Sequence, residues 1–139
     1  MFVVEDDPLA GRALADVLAR EGQLEVTAFT SAQGALDAAQ LAPPDLAVIG
    51  LRVSGRRGAD LIRELEAIDP QMASMLITSA SDTDSTVEAQ SLVGPLRCVH
   101  KPVVPSDLLP KLRAQLERRQ LICDLQAMAA TLELSLIHI

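Results

Sequence analysis

The run Leu46-Ala47-Val48-Ile49 constrains this chain more than any other four residues. It is preceded by Pro43-Pro44-Asp45, has no polar alternation, and runs straight into a loop at Gly50. A strand that is apolar at every position has to be covered on both faces. That condition is met by a central strand of a parallel sheet with helices above and below. In such open sheets the chemistry lies just beyond the carboxyl ends of the strands. Here that position is Gly50, which has no side chain to offer.

The flanking sequence repeats the same alternation of short apolar runs and amphipathic stretches. Met1 to Val4 read as a first strand that ends at Glu5-Asp6-Asp7-Pro8. Pro8 suits the first turn of a helix and Asp7 its N-cap. That helix carries Leu14, Val17 and Leu18 on one face and runs to about Glu21, with Gly22 as its stop. Leu24 to Phe29 is a second strand, and Thr30 or Ser31 caps a second helix that Pro43-Pro44 ends. After the central strand, a loop over Ser54-Gly55-Arg56-Arg57-Gly58 leads into a third helix with Leu61, Ile62, Leu65 and Ile68 together. Met75 to Thr78 is a fourth strand, Ser85 to Leu92 a weaker helix, and Arg97 to His100 a fifth strand. Ser106 caps a last helix with Leu109, Leu112 and Leu116. Five strand–helix units with short connections predict an α/β fold, a doubly wound parallel five-stranded sheet with right-handed crossovers.

Composition removes several classes of function. Aromatic residues make up 1% of the chain and the formal net charge is −7, which excludes stacking on nucleic-acid bases and opposes binding to a phosphate backbone. Cys98 and Cys123 have no metal-ligand spacing, so a reduced, cytoplasmic setting is the simplest reading. No signal peptide is expected, because acidic residues begin at Glu5, and no apolar run approaches a membrane span. There is no G-x-G-x-x-G, no P-loop and no Ser/His/Asp or Cys/His set. His100, next to Lys101, reads as a structural or surface residue.

The strand ends carry a more specific pattern. The first offers Glu5 and Asp6, the third Gly50, the fourth Ser79 and the fifth Lys101-Pro102. Adjacent carboxylates repel unless a cation lies between them, which makes them a natural hard-metal site. A converging lysine can neutralise a phosphoryl group, and a hydroxyl can hydrogen-bond it. With these residues in this order, the chain from Met1 to about Arg119 resembles the receiver domain of two-component response regulators, the CheY-like family. The resemblance implies a flavodoxin-like (βα)5 fold with strand order 2-1-3-4-5. It implies that Glu5 and Asp6 would hold Mg²⁺, that Lys101 would contact the phosphoryl group and that Ser79 would report it.

Three positions depart from that pattern, the third more mildly. The phosphoacceptor aspartate falls on Gly50, and its loss removes a nucleophile and a metal ligand together. Asp45 lies near the other end of the strand and Asp60 on the following helix, so neither replaces it. Cys98 stands where the family has an aromatic switch residue, and Ser54 replaces the usual loop proline. The chain therefore reads as a pseudo-receiver: a non-enzymatic interaction or regulatory module that works without phosphorylation. Its Mg²⁺ site at Glu5 and Asp6 is weak or lost, and no cofactor is required. The alternative is an ordinary phospho-accepting receiver in which Gly50 is a mutation or an artefact. Lys101 is expected to pair with Glu5 or Asp6. A protein partner or output domain is expected on the face of the fourth helix, fifth strand and fifth helix, with no direct nucleic-acid or membrane contact.

Beyond residue 119 the apolar spacing continues through Leu121, Leu125, Met128 and Leu132. Residues 120–139 therefore read as a helical linker or coiled-coil extension that leads to a partner, an output domain or a second copy of the chain. Ser135 to Ile139 read as a truncation point or as vector-derived residues and carry no functional weight.

Overall fold

The computed structural model describes residues 1–21, 24–78, 97–100 and 103–137, with backbone alone for Glu21, His100 and residues 131–137. The chain forms β1 (Phe2–Val4), α1 (Pro8–Glu21), β2 (Thr27–Phe29), α2 (Ala32–Leu41), β3 (Leu46–Gly50), β4 (Arg52–Val53), β5 (Arg56–Arg57), α3 (Gly58–Ile68), β6 (Ala73–Thr78), β7 (Cys98–His100) and α4 (Pro105–Ile137). The main sheet is parallel, in the order β2-β1-β3-β6-β7. Counted along its five strands this is the order 2-1-3-4-5. The helix expected over Ser85 to Leu92 lies outside the described residues.

β3 sits at the centre for the reason its sequence gives. It pairs with β1 on one side and β6 on the other, with Ile49 beside both Val4 and Leu76. Val4, Ile49 and Leu76 point into a core shared with Leu61, Ile62 and Leu65 of α3 and the alanines of α2. Val3, Val48 and Met75 point the other way, against Leu14 and Leu18 of α1 and Leu108 and Leu112 of α4. Each of these fully buried large side chains contributes on the order of 1.5–3 kcal/mol. Both faces of the sheet are thus closed by helices.

The helix starts follow local chemistry. The Leu9 amide donates to Asp7 Oδ1 at 3.0 Å, so Asp7 caps α1 with Pro8 in its first turn. The Gly34 amide donates to Ser31 Oγ at 3.1 Å, which makes Ser31 the cap of α2. The last helix starts one residue before the expected cap. Asp107 and Leu108 amides donate to the Val104 carbonyl, Pro105 takes the first helical position that its fixed φ suits, and Ser106 falls inside the helix.

Two strands differ from expectation. β2 spans three residues, not the six from Leu24, because its partner β1 is itself three residues long. Ser54 to Gly58 is not a simple loop: Arg52–Val53 and Arg56–Arg57 pair antiparallel as a hairpin. Its turn residues Ser54 and Gly55 have φ of 54° and 74°, the pattern of a two-residue type I′ turn whose twist matches paired strands. α4 runs without a break past residue 119, through Pro110, to Ile137. At 33 residues it is about 50 Å long.

Candidate functional site

The carboxyl ends of β1 and β3 lie side by side, since Val4 pairs with Ile49. This brings Glu5 to Gly50. The Glu5 side chain is buried, at 8% exposure, and its carboxylate lies over the glycine: a Cβ built on Gly50 would stand 2.7 Å from Glu5 Oε2 and 3.3 Å from Glu5 Cδ. The second oxygen would be 3.6 Å away. Glu5 therefore occupies the space into which a side chain at position 50 would project. Gly11 in the first turn of α1 packs on the stem of Glu5 from the other side, leaving 3.4 Å for a Cβ.

Asp6 turns elsewhere. Its Oδ1 accepts a hydrogen bond of 2.6 Å from the Ser54 amide. Ser54 Oγ in turn accepts from the Ala32 amide at 3.3 Å, at the start of α2. The hairpin turn is thus tied both to the acidic end of β1 and to α2. Ser54 makes both contacts from the first turn position of the hairpin, where its φ is 54°. These links are the part of the site that sequence reasoning missed. The signal was present in Ser54-Gly55 between strand-forming neighbours, a turn dipeptide at hairpin spacing.

Behind Gly50 the packing is tight. A Cβ on Gly58, the first residue of α3, would overlap the Gly50 carbonyl oxygen and stand 2.7 Å from Leu76 Cδ2. The Gly58 amide donates to the Leu51 carbonyl at 2.8 Å. Next to it, Arg57 grips Asp60 with two parallel bonds, Nε to Oδ2 at 3.0 Å and Nη2 to Oδ1 at 3.1 Å. The Arg57 guanidinium holds the Asp60 carboxyl below the usual carboxylate range, with Arg63 and Arg56 acting in the same direction against the opposing effect of burial. Asp60 is thereby committed to the start of α3 and is not directed at the acceptor position.

Ser79 and Lys101, which the sequence assigns to this pocket, lie outside the described residues, as does the pairing expected of Lys101. Cys98 does lie within them. It is buried against the α2 and α3 side of the sheet, and burial pushes its thiol up, with Arg97 and Lys111 opposing. Lys111 Nζ donates to the Cys98 carbonyl at 3.3 Å, linking β7 to α4.

A divalent cation at this place would need several oxygen ligands around one point. The first strand supplies two carboxylates, one lying over Gly50 and one hydrogen-bonded to the Ser54 amide. Among the described residues no group of three or more acidic, histidine or cysteine side chains gathers around a common point. The side chains described do not fit a three-carboxylate Mg²⁺ site.

A doubly wound parallel sheet with an acidic pair beside the end of its central strand defines a flavodoxin-like domain of the CheY type. The chain matches the response regulator receiver domain over residues 1–113, and it belongs to that family. It is 28% identical over 132 residues to the transcriptional regulatory protein PdtaR of Mycobacterium tuberculosis, covering 95% of this chain and 63% of that protein. It is 34% identical over 118 residues to the transcriptional regulatory protein FixJ of Azorhizobium caulinodans, covering 85% of this chain and 55% of that one. The chain thus spans between half and two thirds of the length of these relatives. In fold it is similar to a response regulator receiver domain protein of Clostridium thermocellum, with a TM-score of 0.75, 24% identity, and coverage of 87% of this chain and 96% of that one. It is also similar to NtrX of Brucella abortus, with a TM-score of 0.78, 22% identity, and coverage of 91% of this chain and 28% of that one. No helix among the described residues is long and apolar enough to cross a membrane.

Proposed function

We propose that this receiver domain works as a phosphorylation-independent interaction module. The observation that carries the reading is the Glu5 carboxylate lying over Gly50. An acyl phosphate needs a carboxylate nucleophile at the end of the central strand and a cation to offset the charge that develops there. Position 50 supplies no nucleophile, and the neighbouring acidic side chain fills the space. The domain is then not an enzyme, requires no Mg²⁺, and keeps one arrangement of its strand ends whatever the phosphoryl donor.

Its output is binding, in the cytoplasm, to a protein partner, an attached output domain or a second copy of the chain. The surface for it is the face around β7 and α4. Leu121, Leu125 and Met128 on α4 are 59%, 56% and 62% exposed, and their spacing of four and three residues is that of a coiled-coil seam. The seam is apolar and the chain as a whole carries a net charge of −7, which suits a protein partner better than nucleic acid. Adding acetyl phosphate and Mg²⁺ together is expected to leave the melting temperature and the sedimentation coefficient of the chain unchanged. A shift in either that requires both reagents would overturn this reading.

A further inference from the structure

At the amino edge of the sheet, far from Gly50, α4 leans over the start of β6 and leaves a cleft of about 150 Å³. Arg97, Arg118, Arg119, Gln115, Gln71 and Glu66 supply its polar lining. In a chain of net charge −7 this cleft has the opposite sign, with three guanidinium groups against one carboxylate. Glu66 is already engaged, accepting from Arg97 Nη2 at 3.0 Å, and Arg97 also holds Ser74 through its side-chain and backbone oxygens.

The other two arginines are not answered inside the cleft. Arg119 Nη2 reaches outward to Asp45 Oδ1 at 3.3 Å, but that carboxylate is 72% exposed, where solvent screens the pair. Arg119 Nε is buried and has no hydrogen-bond partner among the described residues. A buried charged N–H without an acceptor calls for a bound water or ion. Arg118 also lines the cleft, and no ion pair or hydrogen bond engages it among the described residues. A single water would meet Nε and leave the surplus charge untouched. An oxyanion meets both.

We propose that this cleft binds a phosphate-class oxyanion, held between Arg119 Nε and the Arg118 guanidinium with Gln115 alongside. Among the residues that line the cleft, three guanidinium groups against Glu66 leave a surplus of two positive charges, reduced by the exposed Asp45 that pairs with Arg119 from outside it. That balance suits the charge of phosphate or a phosphate monoester near neutral pH. The site is separate from the strand-end pocket and does not depend on Gly50. Gln115, Arg118 and Arg119 all lie on α4, facing the start of β6 across the cleft, where Gln71 already contacts Cys123 and Gln126 of the same helix.

The test is a titration of the full chain with inorganic phosphate at constant ionic strength, with chloride as the balancing anion. Melting temperature and phosphorus NMR line width are the readouts. A saturable rise in melting temperature beyond that given by chloride is expected. Arg118→Ala, an exposed position whose truncation leaves the core intact, should weaken the apparent affinity about tenfold, the usual worth of one charge-assisted bond. Asp45→Asn should strengthen it by releasing Arg119. No phosphate effect beyond chloride, as a cleft holding water alone would give, overturns the proposal. So does an effect that Arg118→Ala leaves unchanged, because the anion would then sit elsewhere.

Discussion

Glu5 and Gly50 meet at the ends of neighbouring strands, with Glu5 Oε2 2.7 Å from the point a Cβ on residue 50 would occupy. The obstructing atom is the far end of a flexible side chain, so a methyl group alone is tolerated once Glu5 swings aside. Gly50→Ala is expected to change unfolding free energy by less than about 1 kcal/mol. Gly50→Asp should cost about 1–2 kcal/mol in the absence of divalent cations, because two carboxylates then share one site. Mg²⁺ should restore part of that loss in the Asp variant and do little for the parent chain. Urea unfolding with and without Mg²⁺ checks both.

Gly58 presents the opposite situation. A Cβ there meets the backbone oxygen of Gly50 and the Leu76 side chain, neither of which can step aside without moving β3 or the core. Gly58→Ala is expected to destabilise the fold by about 2–3 kcal/mol. Chemical denaturation of the variant measures it, and a loss below that of Gly50→Ala would contradict the packing described.

The Arg57–Asp60 fork predicts a pH dependence of definite sign. Asp60 is held below its ordinary range in the folded chain, so the fork stabilises the fold above the unfolded value of about 3.9. That contribution is lost as pH falls through the lower, folded value. Asp60→Asn should therefore be less stable than the parent chain at neutral pH, and the gap should close in acid. Equal stabilities across pH 2 to 7 on the order-of-magnitude scale of an exposed pair would show that the fork contributes nothing.

The two cysteines should separate by reactivity. Cys98 is buried and its thiol is pushed up by that burial, which slows attack on a disulfide reagent. Cys123 is half-buried, with Sγ 3.0 Å from Gln71 Oε1. Titration of the native chain with an aromatic disulfide should show one thiol reacting quickly and the second only on unfolding.

Much of this arrangement can be read from local sequence. The unbroken apolar run of β3 predicts a strand covered on both faces, and that strand lies at the centre of the sheet. Asp7 and Ser31 cap their helices as expected because capping is a contact between residues two or three apart. What sequence could not give depends on distant partners. The length of β2 is set by β1, and the tie between Asp6 and Ser54 spans 48 positions. The placing of Glu5 over Gly50 follows from strand register and from the space a missing side chain leaves.

A receiver with Gly50 at the acceptor position, working as proposed, does not accept a phosphoryl group. Intact-mass analysis after incubation with acetyl phosphate and Mg²⁺ tests it most directly, with Gly50→Asp treated in parallel. The parent chain is expected to keep its mass, whether or not the Asp variant gains a phosphoryl group. An increase on the parent chain equal to one phosphoryl group, labile to hydroxylamine as an acyl phosphate is, would contradict the account.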